Sequence, residues 1–295
     1  MITHKVKVLL APLLVAVVIL AGAGAAEAAF PGQNGKIAFD QRFRIWVKNP
    51  SLNSTETKLR DDGWSDGTAA FSPDGSRVAF VRRVPGPEIY VTNADRSGTP
   101  KRLTDNALVE SRPTWSPDGS KIAFERGGQI WVMNADGKNQ RQLTVELATD
   151  AAKFDPNQPS SMPAWSVPLT GAPDGKIAFV HQGFIWTMLA DGNGKDELDY
   201  TCPTSNGGIC DNAVGNPTYS PDGSKIAAEY FGDIFIVSSS GGTSSVLLPG
   251  PNNKYPGAEL DPAWSPDGSK IAFEHFPTGG NHYHIYMANA NGSST

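Results

Sequence analysis

The chain contains 295 residues, of which 31 are glycine, 23 are proline and 39% are hydrophobic. This composition is rich in turn formers without being poor in apolar residues, so it predicts a globular, loop-dense protein. The net charge of −5 at pH 7, with no basic run, argues against a nucleic-acid partner.

The first 28 residues have the layout of a secretory signal peptide. Lys5 and Lys7 precede the uncharged stretch VLLAPLLVAVVILAGAG, and the small-residue sequence AEA ends at Ala28. A basic start, an apolar run and a small-x-small site are the three parts of such a leader. We therefore expect residues 1–28 to be removed, leaving a secreted or otherwise extracytoplasmic domain over residues 29–295 that has no membrane contact. An uncleaved anchor is the alternative, because the apolar stretch is long enough to span a bilayer.

One sequence of ten residues returns along the chain. WSPDGSKIAF begins at Trp115 and again at Trp264, and close variants begin at Phe71 and Tyr219. Alignment on the Gly-Lys/Arg-apolar-Ala step divides the chain into six units, which begin at Gly35, Phe71, Trp115, Ala172, Tyr219 and Trp264. Successive intact Pro-Asp-Gly turns lie 44, 56, 48 and 45 residues apart. This period is typical of a propeller blade or of an α-solenoid unit.

The composition of each unit favours the propeller. A first run ends at an aromatic residue, Ser-Pro-Asp-Gly has the residues of a type I turn, and a second run reads KIAF. A variable loop, a third run such as QIWVMN, an Ala-Asp-Gly turn and a fourth run such as RQLT follow. Four short antiparallel strands joined by hairpins make a blade, and no segment has a ten-residue helical period. We therefore predict an all-β, six-bladed β-propeller of four-stranded antiparallel blades.

The two end units are incomplete in the sequence. The first unit begins at its second strand, and the last unit stops at NANGSST, where a fourth strand is expected. The repeated acids have a structural explanation, because Asp in Ser-Pro-Asp-Gly bonds back to the backbone of its own turn. We expect turn formation, and not a ring of acids, from Asp74, Asp118, Asp174, Asp222 and Asp267.

The repeat resembles that of a known family. Pro-x-Trp-Ser-Pro-Asp-Gly-Ser-Lys-Ile-Ala-Phe, followed by a run such as Ile-Trp-Val-Met-Asn-Ala-Asp-Gly, is similar to the WD-like repeat of TolB-type β-propellers. The resemblance covers nearly all of residues 29–295 and implies a six-bladed propeller. TolB itself carries an α/β domain before its propeller, whereas here the leader runs directly into FPGQNGKIAF. The chain thus resembles the stand-alone secreted relatives, and TolB's role in the Tol–Pal system is not carried over.

Two cysteines, Cys202 and Cys210, occur in CPTSNGGIC. An exported protein folds where disulfides persist, and the segment between the two cysteines is rich in Gly, Ser and Asn. We expect one disulfide that closes a surface loop. Two free thiols are the alternative, while a metal role is disfavoured because no CxxC or neighbouring histidine occurs.

The loops of a propeller divide between two faces. The Pro-Asp-Gly and Ala-Asp-Gly turns lie on one face, and the second-to-third-strand loops and blade connections lie on the other, which we call the variable face. Recognition concentrates on variable loops held by a rigid scaffold. A mixture of arginine, aromatic and acidic residues suits protein or carbohydrate recognition. The candidate binding residues are Arg82, Arg83, Arg112, Arg126, His181, Tyr230, Phe231, Asp261 and His275.

The sixth unit carries a histidine cluster in HFPTGGNHYHIY. His282 and His284 lie two positions apart on a predicted strand and therefore face the same side, with His275 nearby. Some secreted propellers with a similar repeat are polysaccharide lyases that have a histidine-rich metal site. A metal bound by His282 and His284 is one interpretation, and polar residues satisfied by their own neighbours is the other. Apart from this metal, we expect no cofactor.

These observations give two hypotheses of function. The leading one is a secreted, non-enzymatic, monomeric propeller that binds a protein or a glycan through its variable face. The alternative is an extracytoplasmic carbohydrate-active enzyme, similar to a polysaccharide lyase, that uses the histidines of the sixth unit. No G-x-S-x-G sequence occurs, so a serine hydrolase is not indicated. A module tethered by an uncleaved N-terminal helix is a third possibility.

Overall fold

The computed structural model describes residues 36–41, 44–49, 55–83, 85–145, 154–201, 214–247, 257–279 and 284–292. The described residues form β-strands, turns and loops without any helix, and so they contain no helix that could cross a membrane. The expected leader, residues 1–28, lies outside the described part of the chain.

Blades 1 to 3 follow one another along the chain. Blade 1 consists of β1 (Ile37–Gln41), β2 (Arg44–Lys48) and β3 (Thr57–Lys58). Blade 2 consists of β4 (Asp66–Phe71), β5 (Arg77–Arg82), β6 (Glu88–Asn93) and β7 (Lys101–Arg102). Blade 3 consists of β8 (Glu110–Trp115), β9 (Lys121–Arg126), β10 (Gln129–Asn134) and β11 (Arg141–Gln142).

Blades 4 to 6 repeat the arrangement. Blade 4 consists of β12 (Ser160–Trp165), β13 (Lys176–His181), β14 (Phe184–Leu189) and β15 (Asp196–Glu197). Blade 5 consists of β17 (Val214–Tyr219), β18 (Lys225–Tyr230), β19 (Asp233–Ser238) and β21 (Ser245–Val246). Blade 6 consists of β22 (Gly257–Trp264), β23 (Lys270–Pro277) and β24 (His284–Asn289). A small parallel pair, β16 (Tyr200–Thr201) with β20 (Gly242–Thr243), links blades 4 and 5.

This architecture confirms the predicted propeller. The strands of each blade pair in chain order and antiparallel, and in the described part of the chain the first and last blades have three strands where blades 2 to 5 have four. Each inner strand ends at the aromatic residue that the sequence indicated, namely Phe71, Trp115, Trp165, Tyr219 and Trp264.

The Ser-Pro-Asp-Gly hairpins are held by their own side chains. In blade 3, the hydroxyl of Ser116 donates to Asp118 Oδ1 at 2.6 Å, and the same oxygen accepts the backbone N–H of Ser120 at 3.0 Å. Gly119 has a φ of +68°, which glycine adopts without a steric penalty. Equivalent bonds form at Asp74, Asp222 and Asp267. At these four turns the aspartate acts as a turn former, as expected.

The hydrophobic core lies between the blades. In blades 2 to 5 the second strands contain consecutive buried residues and are therefore buried on both faces. Ile89, Ile130, Ile185 and Ile234, which have equivalent positions in the third strands, are also fully buried. Each such side chain stabilises the fold by about 1.5–3 kcal/mol. The inner strands are also linked directly, because Trp115 Nε1 donates to the carbonyl oxygen of the neighbouring blade's Ala70 at 3.1 Å.

Every described inner strand contains a bulge at the same distance from its aromatic end. The register with the second strand shifts there, and pairing resumes at the residue just before the aromatic one. At each bulge one residue other than glycine has a positive φ: Thr68, Arg112, Met162, Asn216 and Asp261. A positive φ at such residues is uncommon, and its fivefold repetition makes the bulge a designed feature of the fold.

Candidate functional site

Backbone hydrogen bonds join the blades along the variable face. In blades 3 to 6 the residue two positions before the positive-φ bulge residue of the inner strand donates its N–H to a carbonyl in, or next to, the second-to-third-strand turn of the preceding blade. Ser160 donates to Gly128 at 2.7 Å, and Glu259 donates to Gly232 at 2.7 Å. The corresponding bonds from Glu110 to Pro87 and from Val214 to Gly183 are longer, at 3.2 and 3.3 Å. Hydrogen bonds between neighbouring blades therefore support the loops of this face.

Four large apolar side chains project from this face. Trp64 and the pair Leu108 and Val109 stand in the connections that enter blades 2 and 3, and Phe231 stands in the second-to-third-strand turn of blade 5. Their exposed fractions are 43%, 52%, 58% and 72%. Among the described residues, Ile285 is the one other large apolar side chain with comparable exposure. All four side chains therefore lie on loops of the same face, where they are available for contact with a ligand.

Two buried carboxyl groups, those of Glu88 and Glu110, hold the loop that carries Leu108. Asn106 donates its backbone N–H to Glu88 Oε1 at 3.0 Å and its Nδ2 to Glu110 Oε1 at 2.6 Å. Its own Oδ1 accepts the N–H of Leu108 at 2.7 Å. Burial raises the pKa of Glu110, and the neighbouring Glu88 adds to the rise, while bonds from Asn106 and Arg126 act against it. The loop is thus held in one conformation.

Two predicted binding arginines are buried in ion pairs. Arg82 Nε donates to Asp66 Oδ1 at 2.9 Å, and Arg126 Nε donates to Glu110 Oε1 at 2.6 Å. Each guanidinium also lies over aromatic rings of its own blade, as Arg126 does over Trp131 at 4.7 Å from the ring centroid. Their side chains are only 7–8% exposed. They hold the inner strand against the second strand.

Three further predicted residues are buried at the same position of the repeat. His181 is fully buried, with its Nδ1 3.0 Å from the hydroxyl of Ser160 and its ring stacked on Phe154 at 4.4 Å. Tyr230 is buried at the end of β18, and His275 is buried two residues before the end of β23. Each of these residues follows a buried residue of the second strand by two positions, namely Phe179, Ala228 and Phe273, and therefore lies on the same buried side. Their role in ligand contact stays a prediction, which this burial does not favour.

The other four predicted residues reach the solvent or the channel. Arg83 and Phe231 are exposed on the variable face. Arg112 and Asp261 occupy two of the positive-φ bulges and line the central channel, with Nη1 and Oδ1 3.8 Å apart. The cavity in this channel has a volume of about 240 Å³.

A polar network surrounds the channel entrance. Arg112 Nη1 donates to Asn216 Oδ1, and Asn216 Nδ2 donates to Glu229 Oε1 at 2.9 Å. Glu229 Oε2 accepts the backbone N–H of Asp261 from the next blade at 3.0 Å. Burial raises the pKa of Glu229, although these hydrogen bonds act in the opposite direction. The network ties together the inner strands of blades 3, 5 and 6.

Several residues at this site were not singled out from the sequence. The sequence contains a pattern that could have identified Glu229, because the same position of the repeat is Glu125 in blade 3 and Glu274 in blade 6. A weaker indication pointed to Leu108 and Val109, which form an apolar pair in the otherwise polar connection TDNALVESRP.

The histidine and cysteine predictions lie largely beyond the described residues. Cys202, Cys210 and His282 are outside them, so the disulfide and the His282 ligand stay predictions. His284 is exposed at the start of β24, opposite the buried His275 on β23. The described residues contain no group of three or more His, Cys, Asp or Glu arranged to hold a metal ion. A metal site at His284 would therefore need a ligand from elsewhere in the chain.

Comparison with known proteins finds a family model that matches part of the repeat. Residues 38–166 match the family model described as the TolB beta propeller domain, PD40. No curated protein matches the chain. Among solved structures, the chain is similar to TolB from Acinetobacter baumannii, with 18% identity and a TM-score of 0.66. The alignment covers 89% of this chain and 63% of that one, so the chain spans less than two thirds of that TolB.

Two further structures share the fold. One is a chain of a nidogen/laminin complex, with 15% identity and a TM-score of 0.61, covering 81% of this chain and 85% of that chain. The other is an oligogalacturonate lyase from Vibrio parahaemolyticus, with 14% identity and a TM-score of 0.51, covering 88% of this chain and 79% of that chain. At these identities the likeness shows the fold alone.

Proposed function

Because this chain is a β-propeller of the TolB type, we propose that it is a non-enzymatic scaffold that binds a protein outside the cytoplasm through its variable face. The observation that carries this proposal is the group of Trp64, Leu108, Val109 and Phe231, which stand exposed on loops of that one face. A similar fold in a nidogen/laminin complex supports a protein ligand. Location outside the cytoplasm rests on the leader predicted for residues 1–28.

The loops are suited to binding because they are already ordered. Asn106 and the buried Glu88 and Glu110 hold the loop of Leu108, and Phe231 packs edge-on against the buried Tyr230 with ring centroids 4.7 Å apart. A ligand that covers these groups would gain apolar burial without the entropy cost of ordering the loops. Burial of one such side chain contributes about 1.5–3 kcal/mol, so two or three of them suffice as central contacts.

The test is site-specific photo-crosslinking in the extracytoplasmic fraction of the source cells. A photoreactive residue at position 231 or 108 is expected to capture one protein in amounts that saturate. The matched control is position 138, because Lys138 is exposed on the opposite face in the Ala-Asp-Gly turn of blade 3. Phe231→Asp should abolish capture from position 108, while Lys138→Asp should not. Equal capture from both faces would contradict the proposal, and saturable binding of a glycan alone would replace the protein ligand.

A carbohydrate-active enzyme is the second candidate, and the likeness to the oligogalacturonate lyase is the observation that favours it. This reading requires His282 and His284 to take part in a metal site. Metal analysis of the purified protein, paired with His282→Ala, separates the two candidates. A stoichiometric metal that is lost in the variant would favour the enzyme, whereas the scaffold proposal expects no metal in either protein.

A further inference from the structure

Blade 2 has an arginine where blades 3 to 6 have a glycine. In those four blades the turn after the third strand contains a glycine with a φ between +78° and +92°: Gly137, Gly192, Gly241 and Gly292. Arg96 stands at the same position of blade 2 with a φ of +71°, and its N–H bonds back to Asn93 O as that of Gly137 does to Asn134 O. Arginine rarely adopts this conformation, and strained residues of this kind cluster at functional sites.

The neighbouring blade leaves room for the arginine. A Cβ on Gly137 would lie 2.9 Å from the carbonyl oxygen of Leu103, in the blade before it. Leu59 has the position of Leu103 in blade 1, because each of them donates its N–H to the third strand of its own blade. Leu59 and Arg96 line a cavity of about 630 Å³. A side chain is therefore tolerated at this turn because a cavity replaces the close contact that blades 2 and 3 make.

This cavity lies along the outer edge of blade 1. It is lined by residues 56–62, which include the outermost strand β3, by Trp46 of the adjacent strand β2, and by Arg96 of blade 2. We call the space between these residues the rim cavity. Seven of its nine lining residues are polar or charged, and its volume is in the range of small-molecule binding sites.

The guanidinium of Arg96 is an unneutralised charge in the rim cavity. Each carboxylate of the cavity has a basic partner: Glu56 with Lys48, Asp61 with Lys58, and Asp62 with Arg82. Arg96 is exposed, and it makes no ion pair and no side-chain hydrogen bond with the described residues. Because the nearby carboxylates are already paired, Arg96 is available to an anion from solution.

We propose that the rim cavity binds an acidic saccharide, which places a carboxylate on Arg96 and one face of a sugar ring against Trp46. A planar guanidinium can donate two parallel N–H bonds to a carboxylate, which gives both affinity and orientation. This is a second binding site, separate from the variable face, because Arg96 belongs to a turn on the opposite face of the propeller.

The lining of the rim cavity favours a saccharide over other carboxylates. Trp46 is half-buried in the cavity wall, with Lys58 Nζ 5.6 Å from its ring centroid. The C–H groups of a sugar ring pack on an indole, while its hydroxyls donate to a carboxylate such as Asp61 and accept from an ammonium such as Lys58. An apolar ligand would find little to contact, since Leu59, the other apolar residue of the lining, is buried.

The polar groups of the rim cavity are held in place by bonds between the two blades. Arg60 Nη1 donates to the carbonyl oxygen of Gly98 in blade 2 at 3.1 Å, and Arg60 Nε donates to Asp62 Oδ2 at 3.3 Å. Asp62 in turn accepts from Arg82 at 2.9 Å. A ligand that binds here therefore orders few side chains, which lowers the entropy cost of binding.

The probe is an array that pairs oligosaccharides of glucuronic, galacturonic, mannuronic and guluronic acid with their carboxyl-reduced, neutral forms. We expect the full chain to bind at least one acidic saccharide and not its neutral form. Calorimetry with that saccharide should give one site per molecule, with an affinity that falls as the salt concentration rises. Acetate at the same carboxylate concentration should not compete, because it lacks the sugar ring.

Arg96→Gly is the decisive variant, because blades 3 to 6 already have glycine at this position. Glycine adopts a positive φ without strain, so the Tm should stay the same or rise. Binding of the acidic saccharide should weaken by at least about tenfold. Lys138→Ala, which removes an exposed cation beside the equivalent turn of blade 3, should leave binding unchanged, and so should Phe231→Asp on the variable face.

Several results would overturn the proposal. Absence of binding to every acidic saccharide on the array would show that the rim cavity is not a saccharide site. Equal binding of a carboxyl-reduced form would show that Arg96 does not select the ligand. Efficient competition by acetate or inorganic phosphate would reveal a site for simple anions. A folded Arg96→Gly protein that binds as tightly as the wild type would place the saccharide elsewhere.

Discussion

Arg126 and Glu110 face each other on neighbouring strands of blade 3 and form a buried ion pair, with Arg126 Nε 2.6 Å from Glu110 Oε1. Both side chains are shielded from water, and Arg126 Nη2 is satisfied by Gln140 at 2.7 Å. Removal of the cation would leave Glu110 buried beside Glu88 with an uncompensated charge. We therefore expect Arg126→Met to lower the free energy of unfolding by about 3–5 kcal/mol in urea denaturation.

Two controls accompany this prediction, one at the same ion pair and one at an exposed ion pair. Arg126→Met combined with Glu110→Gln should recover part of the loss, because neither charge is then left alone. Lys138→Ala, which breaks the exposed pair with Asp136, should change stability by less than about 1 kcal/mol. Equal losses in all three variants would show that the buried pair is not special.

This pair also shows what the sequence can predict and what it cannot. The strand ends, turns and blade count follow from local residues, because Ser-Pro-Asp-Gly makes its bonds within five positions. The ion pair joins residues 16 positions apart on strands whose register includes a bulge. The sequence therefore predicted Arg126 as a ligand-binding residue of the variable face, while the structure places it beneath that face.

The exposure of Ile285 in blade 6 illustrates the same limit. The sequence could not show that Ile285 would be exposed while Ile234 is buried, since the two residues stand in similar local sequences. Exposure depends on the neighbouring blade, which is distant in the chain.

A second prediction concerns the glycine of the Ala-Asp-Gly turn. Gly137 has a φ of +92°, and a Cβ there would lie 2.9 Å from the carbonyl oxygen of Leu103 in the preceding blade. Gly137→Ala should therefore suffer both backbone strain and a clash with backbone. Gly63 is the matched control, because its φ is +84° but a Cβ there meets no atom within 4 Å.

We expect thermal unfolding to show a clearly lower Tm for Gly137→Ala than for Gly63→Ala. Strain at a positive φ costs on the order of 1–2 kcal/mol in both variants, and the clash adds to it in the first alone. If the two variants lose the same stability, the turn of blade 3 does not depend on close contact with blade 2.

A third prediction concerns pH and His181. Burial lowers the pKa of His181, so the ring stays neutral in the folded protein at acidic pH values at which it is protonated in the unfolded chain. The resulting stability is present above the unfolded value of about 6.5 and is lost as pH falls below it, by up to about 1.4 kcal/mol per pH unit. His181→Phe, which keeps the stack on Phe154, should reduce the pH dependence of the free energy of unfolding between about pH 7 and 5.

Ser160→Ala provides the control for His181. This variant removes the hydroxyl that lies 3.0 Å from His181 Nδ1 but keeps the titrating ring. It should lower stability and still retain the loss at acidic pH. An unchanged pH profile in His181→Phe would show that another group is responsible for the acid sensitivity.

The last prediction concerns the carboxyl group of a repeated turn. Partial burial acts to raise the pKa of Asp118, but hydrogen bonds from Ser116 and Ser120 outweigh it and lower the pKa to about 2. Its stabilising effect is therefore present above the unfolded value of about 3.8 and is lost as pH falls toward 2. Asp118→Asn should destabilise the fold at pH 7, by about 0.5–2 kcal/mol, and much less at pH 2. Circular dichroism with urea at both pH values measures this difference, and an equal loss at both would show that the charge of Asp118 is not what holds the turn.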